Sequence, residues 1–241
     1  MSKASTAIII PIKRFEKSKT RLSGFLSQEQ RAWLCHLMVN DLIEKMSELE
    51  ESKIFLVTNE IIPIPEKSKE KVVVLFEGRS SGVNDAVNIA DCYIDRHKFD
   101  SSIVIPIDIP LLTLKEIKEI TSFAQNYKEI ICMVPSNRFD GTNILLRKPH
   151  SIIETSYDDN SFFNHFKKAL DNSVSLKIFY QDDLKMDIDT IDDVMLALKK
   201  YYLADFTIEM SISEQKKIHM SKNKSIEYLL NIFQNRNELC Y

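Results

Sequence analysis

The chain has 241 residues, of which 44% are hydrophobic and 28% charged, and its formal net charge is −3. That length suits one large α/β domain, or a domain with a small appendage. The charge balance excludes a dedicated nucleic-acid binder, which carries a basic excess. No stretch approaches the ~20 apolar residues of a membrane span.

The first residues, "MSKASTAIII", hold too short an apolar run for a signal peptide. Cys35, Cys92, Cys132 and Cys240 form no C-x-x-C pair, and no His or Cys stands at metal-ligand spacing. The first three sit in apolar patterns and read as small core residues in a reducing compartment. A cytoplasmic enzyme or binding protein is the expectation. Glycine is scarce: Gly24, Gly78, Gly82 and Gly141 stand where average usage gives about 17. Each should meet a backbone need.

In chain order, "TAIIIPI" (6–12) opens as a buried strand. "KRFEKSKTRL" (13–22) follows, with five basic residues in ten. On its own it reads either as a solvated loop or as a phosphate-binding one. "SQEQRAWLCHLMVNDLIEKM" begins with a capping box, Ser27 with Gln30, and puts Trp33, Leu34, Leu37, Met38, Leu42 and Met46 on one stripe. Strands are expected at "KIFLVT" (53–58), "KVVVLF" (71–76), "SIVIPI" (102–107), "IICMV" (130–134), "NILLR" (143–147) and "SLKIFY" (175–180). Helices are expected at "VNDAVNIADCYIDRH", at "TLKEIKEITSFA" with the capping box Thr113–Glu116, at "NSFFNHFKKAL" capped by Asn160, and at "TIDDVMLALKKYYL" capped by Thr190. This alternation predicts a doubly wound α/β sheet with one or two antiparallel strands after residue 130, and ligands at the carboxyl ends of the strands. From about 204 the pattern loosens, and a small helical extension over 204–241 is expected beyond a main domain of 1–203.

Two carboxylate positions stand out. Asp108, in "IPIDIPLL" (105–112), is either a turn residue or a metal ligand at the sheet edge. In "KMDIDTIDDV" (185–194), Asp192 and Asp193 suit a helix N-terminus, whereas Asp187 lies outside that helix and Asp189 alternates with it. Cations for phosphates and separated carboxylates for a divalent ion are the kit of a nucleotidyl transferase. His36 and His165, in helical patterns, read as packing or surface histidines, and Phe162, Phe163 and Phe166 as helix core.

"IIIPIKRFEKSKTRL" resembles the opening signature of the 2-phospho-L-lactate guanylyltransferase family. The likeness continues in family order through "SSGVNDAVNIA", "IPIDIPLLT", "DGTNILL", "SFFNHF" and "MDIDTIDDV", over roughly residues 7–200. The resemblance implies a three-layer Rossmann-like nucleotidyltransferase fold (glycosyltransferase-A-like), with a mostly parallel sheet and helices on both faces. It implies transfer of GMP from GTP to 2-phospho-L-lactate or phosphoenolpyruvate, with release of pyrophosphate, in coenzyme F-420 biosynthesis. Lys13, Lys19 and Arg21 would face the GTP phosphates, with Arg14 and Lys17 left as plain solvated charges, and Ser81, Gly82 and Asn84 would face the guanine and ribose. Asp108 and Asp187 would hold Mg²⁺, with Asp189 as the other candidate. Lys19, Arg21, Asp108 and Asp187 would carry catalysis, and Thr142, Asn143 and Ser161 would hold the acceptor. Where the family has an "FGPGS"-like turn this chain has "YDDNS" (157–161), which places Asp158 and Asp159 near an anionic acceptor. Small-molecule partners and a homodimer are the associated expectations. Three other readings compete: a haloacid-dehalogenase-type phosphatase, suggested by "DIDT"; another nucleotidyl transferase, acting on a molybdopterin or sugar phosphate; and a non-catalytic nucleotide-binding protein.

Overall fold

A computed structural model describes residues 5–78, 82–209 and 223–237. Each apolar run forms a strand: β1 Thr6–Ile12, β2 Ser52–Thr58, β3 Val72–Phe76, β4 Ser101–Val104, β5 Ile130–Pro135, β6 Thr142–Lys148 and β7 Leu176–Ile178. They make one sheet in the order β3-β2-β1-β4-β6-β5-β7. β1 pairs in parallel with β2 and β4, as β2 does with β3 and β5 with β7. β6 alone among these strands is reversed, antiparallel to β4 and β5.

The side-chain period of a strand explains the three layers. Along β1, Ile8, Ile10 and Ile12 pack under α1 (Gln28–Met46) and α3 (Leu114–Gln125). Ala7 and Ile9 pack on the other face, under α2 (Val83–Ile94) and α4 (Ser161–Asp171). Both expected capping boxes form, Ser27 with Gln30 and Thr113 with Glu116. At the end of the chain, α5 (Ile191–Glu209) and α6 (Lys224–Asn237) bury Val194, Ala197, Ile226 and Leu229 against Leu34 and Met38 of α1. Asp41 of α1 accepts hydrogen bonds from the Ser225 backbone N–H and hydroxyl, both at 2.9 Å.

Several expectations need correction. The boundary at 203/204 falls inside α5, and α6 is packed into the body of the protein. Trp33 is 54% exposed, because one residue turns a helix by about 100° and takes Trp33 off the Leu34–Met38 stripe. Phe163 is exposed for the same reason, while Phe162 and Phe166 pack inward. Cys92 is exposed. Asn160 precedes α4 in the left-handed region (φ 58°) and makes no side-chain cap. β4 ends at Val104, short of the run expected to reach Ile107. Cys240 and most of the 204–222 stretch lie outside the described residues.

Candidate active site

Because β6 is reversed, its first residue, Thr142, lies at the same sheet edge as the carboxyl ends of β1 and β4. A cleft of about 840 Å³ opens there, lined by Lys13, Lys19, Asp108, Thr142, Tyr157 and Asp189 among others. It sits where the strand order turns back on itself beside β1, the usual ligand position in open α/β sheets.

The basic loop after β1 is folded into two short 3-10 turns, Phe15–Lys17 and Thr20–Leu22, each anchored by a buried apolar residue, Phe15 and Leu22. Lys19 stands between the turns at φ 52° and ψ 38°. A left-handed conformation costs a non-glycine residue roughly 1–2 kcal/mol. The ion pairs made by its side chain offset that cost. Lys19 Nζ donates to Asp108 Oδ2 at 2.7 Å and to Asp189 Oδ1 at 2.8 Å, and the side chain is only 6% exposed. Burial alone would lower the lysine pKa, but the carboxylates of Asp108 and Asp189 outweigh it and hold the pKa above the usual lysine value.

Lys13, Arg14 and Lys17 line the cleft. For Arg14 and Lys17 this corrects the expectation of plain solvated charges. Arg21 is 65% exposed, with its guanidinium 3.8 Å from Asp189. The two acid-bearing segments are joined through the backbone, since the Ile188 N–H donates to the Asp108 carbonyl at 2.9 Å. Asp187 stands beside the pair. Burial, and then the charge of Asp108, push its pKa up to about 6. Burial opposes ionisation of Asp189 too, but the Lys19 ammonium outweighs it and holds Asp189 below the usual carboxylate range.

Asp108 and Asp189 bring hard carboxylate oxygens to the cleft, one oxygen of each taken by the buried Lys19 ammonium, and Asp187 adds a third carboxylate beside them. Among the described residues no three His, Cys, Asp or Glu side chains are grouped to hold a metal unaided. Mg²⁺ typically needs only one or two protein carboxylates, completing its shell with water and phosphate oxygens.

Gly78 and Val83 line the neighbouring rim. Gly78 has φ 73° and Gly82 φ 127°, conformations that favour glycine. Asn59, which the sequence gave no reason to single out, clamps Gly78 by donating to its carbonyl and accepting from its N–H. Gly82 precedes α2. The Asn84 side chain is spent on the facing loop: it accepts from the Tyr157 N–H at 2.7 Å and donates to Asp158 at 3.2 Å. Ser81 lies outside the described residues.

On the β6 side, Thr142 lines the cleft. Its N–H donates to Ser161 Oγ at 2.8 Å, and its hydroxyl lies 3.0 Å from His165 Nδ1. Ser161 is buried beneath it and opens on a second, acidic hollow with Asp158 and Asp159. Asn143 is buried, and its amide donates to the Leu184 carbonyl at 3.0 Å. It therefore ties down the approach to Asp187 rather than meeting a ligand. The structure thus brings Lys13, Lys19, Asp108, Asp189 and Thr142 together, with Asp187 alongside, and leaves Asn143 outside the cleft. Tyr157 lines the cleft as well. An aromatic before "DDNS" is a weak signal.

Comparison with known proteins agrees with this geometry. The family model described as "Guanylyl transferase CofC like" matches residues 6–229. The chain is 32% identical over 187 residues to the 2-phospho-L-lactate guanylyltransferase of Methanocaldococcus jannaschii, covering 78% of this chain and 80% of that one. It is 27% identical over 219 residues to the Methanosarcina barkeri enzyme of the same name, covering 88% and 99%. In fold it is similar to a solved protein of Desulfovibrio desulfuricans G20 assigned to the nucleotide-diphospho-sugar transferases, with a TM-score of 0.71, 14% identity, and 96% and 98% of the two chains covered. The basic loop, the acid pair and the reversed strand line one cleft, and the chain belongs to the guanylyl transferase CofC-like family.

Proposed function

We propose that this chain transfers GMP from GTP to a phosphorylated three-carbon acid, 2-phospho-L-lactate or phosphoenolpyruvate, as a step in making coenzyme F-420. The observation that carries the reading is the meeting of Lys13, Arg14, Lys17 and Lys19 with Asp108 and Asp189 in one cleft. A phosphate oxygen of the acceptor attacks the α-phosphorus of GTP. The bond from that phosphorus to the oxygen bridging α and β breaks, and pyrophosphate leaves. Both reactants are anionic, so the step depends on positioning and on cations that offset their repulsion. The acceptor phosphate is already ionised at neutral pH and needs no general base.

Asp108, with Asp187 or Asp189, would hold Mg²⁺, which when bound offsets the phosphate charge and orients the triphosphate. Lys13, Arg14 and Lys17 bind the phosphates from the loop side, and Arg21 reaches in from the rim. Gly78 and Gly82 let the backbone approach the nucleoside. Thr142 holds the acceptor's anionic group. 2-Phospho-L-lactate is favoured because it is the acceptor named for the relatives. A cytoplasmic setting and a homodimer complete the proposal. Among the described residues no helix is long and apolar enough to cross a membrane.

The test is product identification. Protein incubated with Mg²⁺, one nucleoside triphosphate and one acid is followed by phosphorus NMR. GTP with 2-phospho-L-lactate or phosphoenolpyruvate should give a new unsymmetrical diphosphate together with pyrophosphate. Efficient use of CTP, or of a sugar phosphate in place of the acid, would favour another transferase of the same fold.

A further inference from the structure

His165 is fully buried in α4, 23 residues from Thr142 in sequence, and its two ring nitrogens face partners of different kinds. The Ser156 backbone N–H donates to Nε2 at 2.8 Å. A backbone N–H cannot accept, so Nε2 carries the lone pair and the proton of a neutral ring sits on Nδ1. Nδ1 is 3.0 Å from Thr142 Oγ1, so the imidazole donates to that hydroxyl oxygen. The Thr142 hydrogen cannot then point at the ring. Thr142 lines the same cleft as Lys19, Asp108 and Asp189, and that cleft is where its hydrogen is free to point. Ser161 is turned in the same way: its Oγ accepts from the Thr142 N–H at 2.8 Å and keeps its own hydrogen to give.

From this geometry we propose that His165 is a positioning residue that fixes the Thr142 hydroxyl as a hydrogen-bond donor to the acceptor's anionic group. The inference rests on the functional reading above, which puts an anionic acceptor at Thr142. With the other tautomer, Nδ1 would accept the Thr142 hydrogen and take the donor out of the cleft. Two N–H groups, of Ser156 and of the ring, would also face each other. Burial, with the positive charges of Lys168 and Arg147 after it, pulls the His165 pKa down to about 3, so the ring stays neutral and the Ser156 contact selects one tautomer. The arrangement also bears on Asp158 and Asp159. Next to those acids, a neutral donor locked in direction attracts an anion without adding a charge that the acids would capture.

His165 also packs edge-on against Tyr157, with ring centroids 4.9 Å apart, and a buried histidine can serve only to tie α4 to the 155–157 loop. Two variants separate the roles. His165→Asn places an amide NH₂ where Nδ1 stood, keeping the donor to Thr142 and losing the acceptor for Ser156. His165→Gln places its carbonyl where Nε2 stood, keeping the Ser156 contact and losing the donor. The expected result is an acceptor KM raised on the order of 10-fold in His165→Gln, with the KM for GTP unmoved, and a smaller acceptor change in His165→Asn. Thr142→Val should raise the acceptor KM in the same way, and adding His165→Gln to it should cost little more. Equal acceptor losses in the two His165 variants, losses that simply follow their melting temperatures, or an equal shift in the KM for GTP would overturn the proposal.

A spectrum of the wild-type protein gives a readout independent of folding in the variants. Long-range proton–nitrogen NMR should show His165 protonated at Nδ1 and bare at Nε2. A proton on Nε2 in a protein that turns over normally would sink the His165 inference and leave the functional reading standing. No turnover with any phosphorylated acid would sink the functional reading, and with it the ligand assigned to Thr142.

Discussion

On the β1 side of the cleft, a buried lysine is held between two carboxylates at 2.7 and 2.8 Å. On the β6 side, Thr142, Ser161 and His165 are linked by neutral hydrogen bonds of 2.8 and 3.0 Å. The first wall is charged and coupled: the two carboxylates hold the Lys19 pKa up, and the Lys19 ammonium holds that of Asp189 down. The three linked side chains of the second wall are uncharged and hydrogen-bonded to one another or to backbone. Substitutions on the first wall should therefore move rate, stability and pH dependence together. Substitutions on the second should move acceptor affinity and little else.

The largest effect should come from the carboxylates. Asp108→Asn and Asp187→Asn should each lower turnover by on the order of 10³-fold, through loss of metal binding and of triphosphate placement. Asp189→Asn belongs in the same series and tells which acid of "DID" the metal needs. Asparagine replaces aspartate almost silently at turns and caps, so steady-state activity near wild type would return the residue concerned to a structural role. The unliganded proteins sharpen the contrast. Asp108→Asn and Asp189→Asn weaken the pairing of buried Lys19 and should melt lower than wild type.

Next in size is Lys19→Ala. Removing a desolvated cation that two acids share should cost on the order of 10²-fold in rate and should also lower the melting temperature. Arg21→Ala, at a position 65% exposed, should cost about 10-fold or less and leave the melt unchanged. Equal small losses in both would place Lys19 among the surface charges.

Asp187 supplies a pH test with a definite sign. Its native pKa, about 6, lies above that of a free aspartate. Across the interval between the two values the native protein holds a proton that the unfolded chain has released. Its contribution to stability therefore falls as pH rises from roughly 4 to roughly 6, and then levels off. Asp187→Asn lacks this loss. Its melting temperature should pull ahead of wild type over that interval and stay ahead at neutral pH, by about 2–4 °C if the difference is near 1 kcal/mol. A constant offset across the range, or one of opposite sign, would remove the raised Asp187 pKa from the account. The smallest effect should be that of Asn84→Ala. It frees the Tyr157 N–H and Asp158, costs about 1 kcal/mol in stability, and should change the KM values only a few-fold.

The sheet was legible in the sequence because strands covered on both faces read as continuous apolar runs. Even the short β7 was marked by "SLKIFY". Helix faces were less legible where two large apolar residues stand side by side, as at Trp33–Leu34 and Phe162–Phe163, since periodicity alone does not choose between neighbours. The site was legible as a set of residue types at strand ends. Its internal pairings were not: Lys19 meets partners 89 and 170 residues away, and nothing in the loop's composition says which of its five cations is buried between carboxylates. The left-handed backbone at Lys19 makes that burial possible, and no glycine marks it. The partners of Asn143 and His165 were hidden for a related reason. Each acts through a contact that exists only once β6, α4 and the 181–189 segment have been brought together.

The most direct test of the central claim is the rate of pyrophosphate release by the wild-type protein, with GTP, a divalent cation and a phosphorylated three-carbon acid each omitted in turn. The charged wall predicts release only when all three are present, with Mn²⁺ able to replace Mg²⁺. Equal release in EDTA, release at the same rate without any acid, or no release with any acid would contradict it.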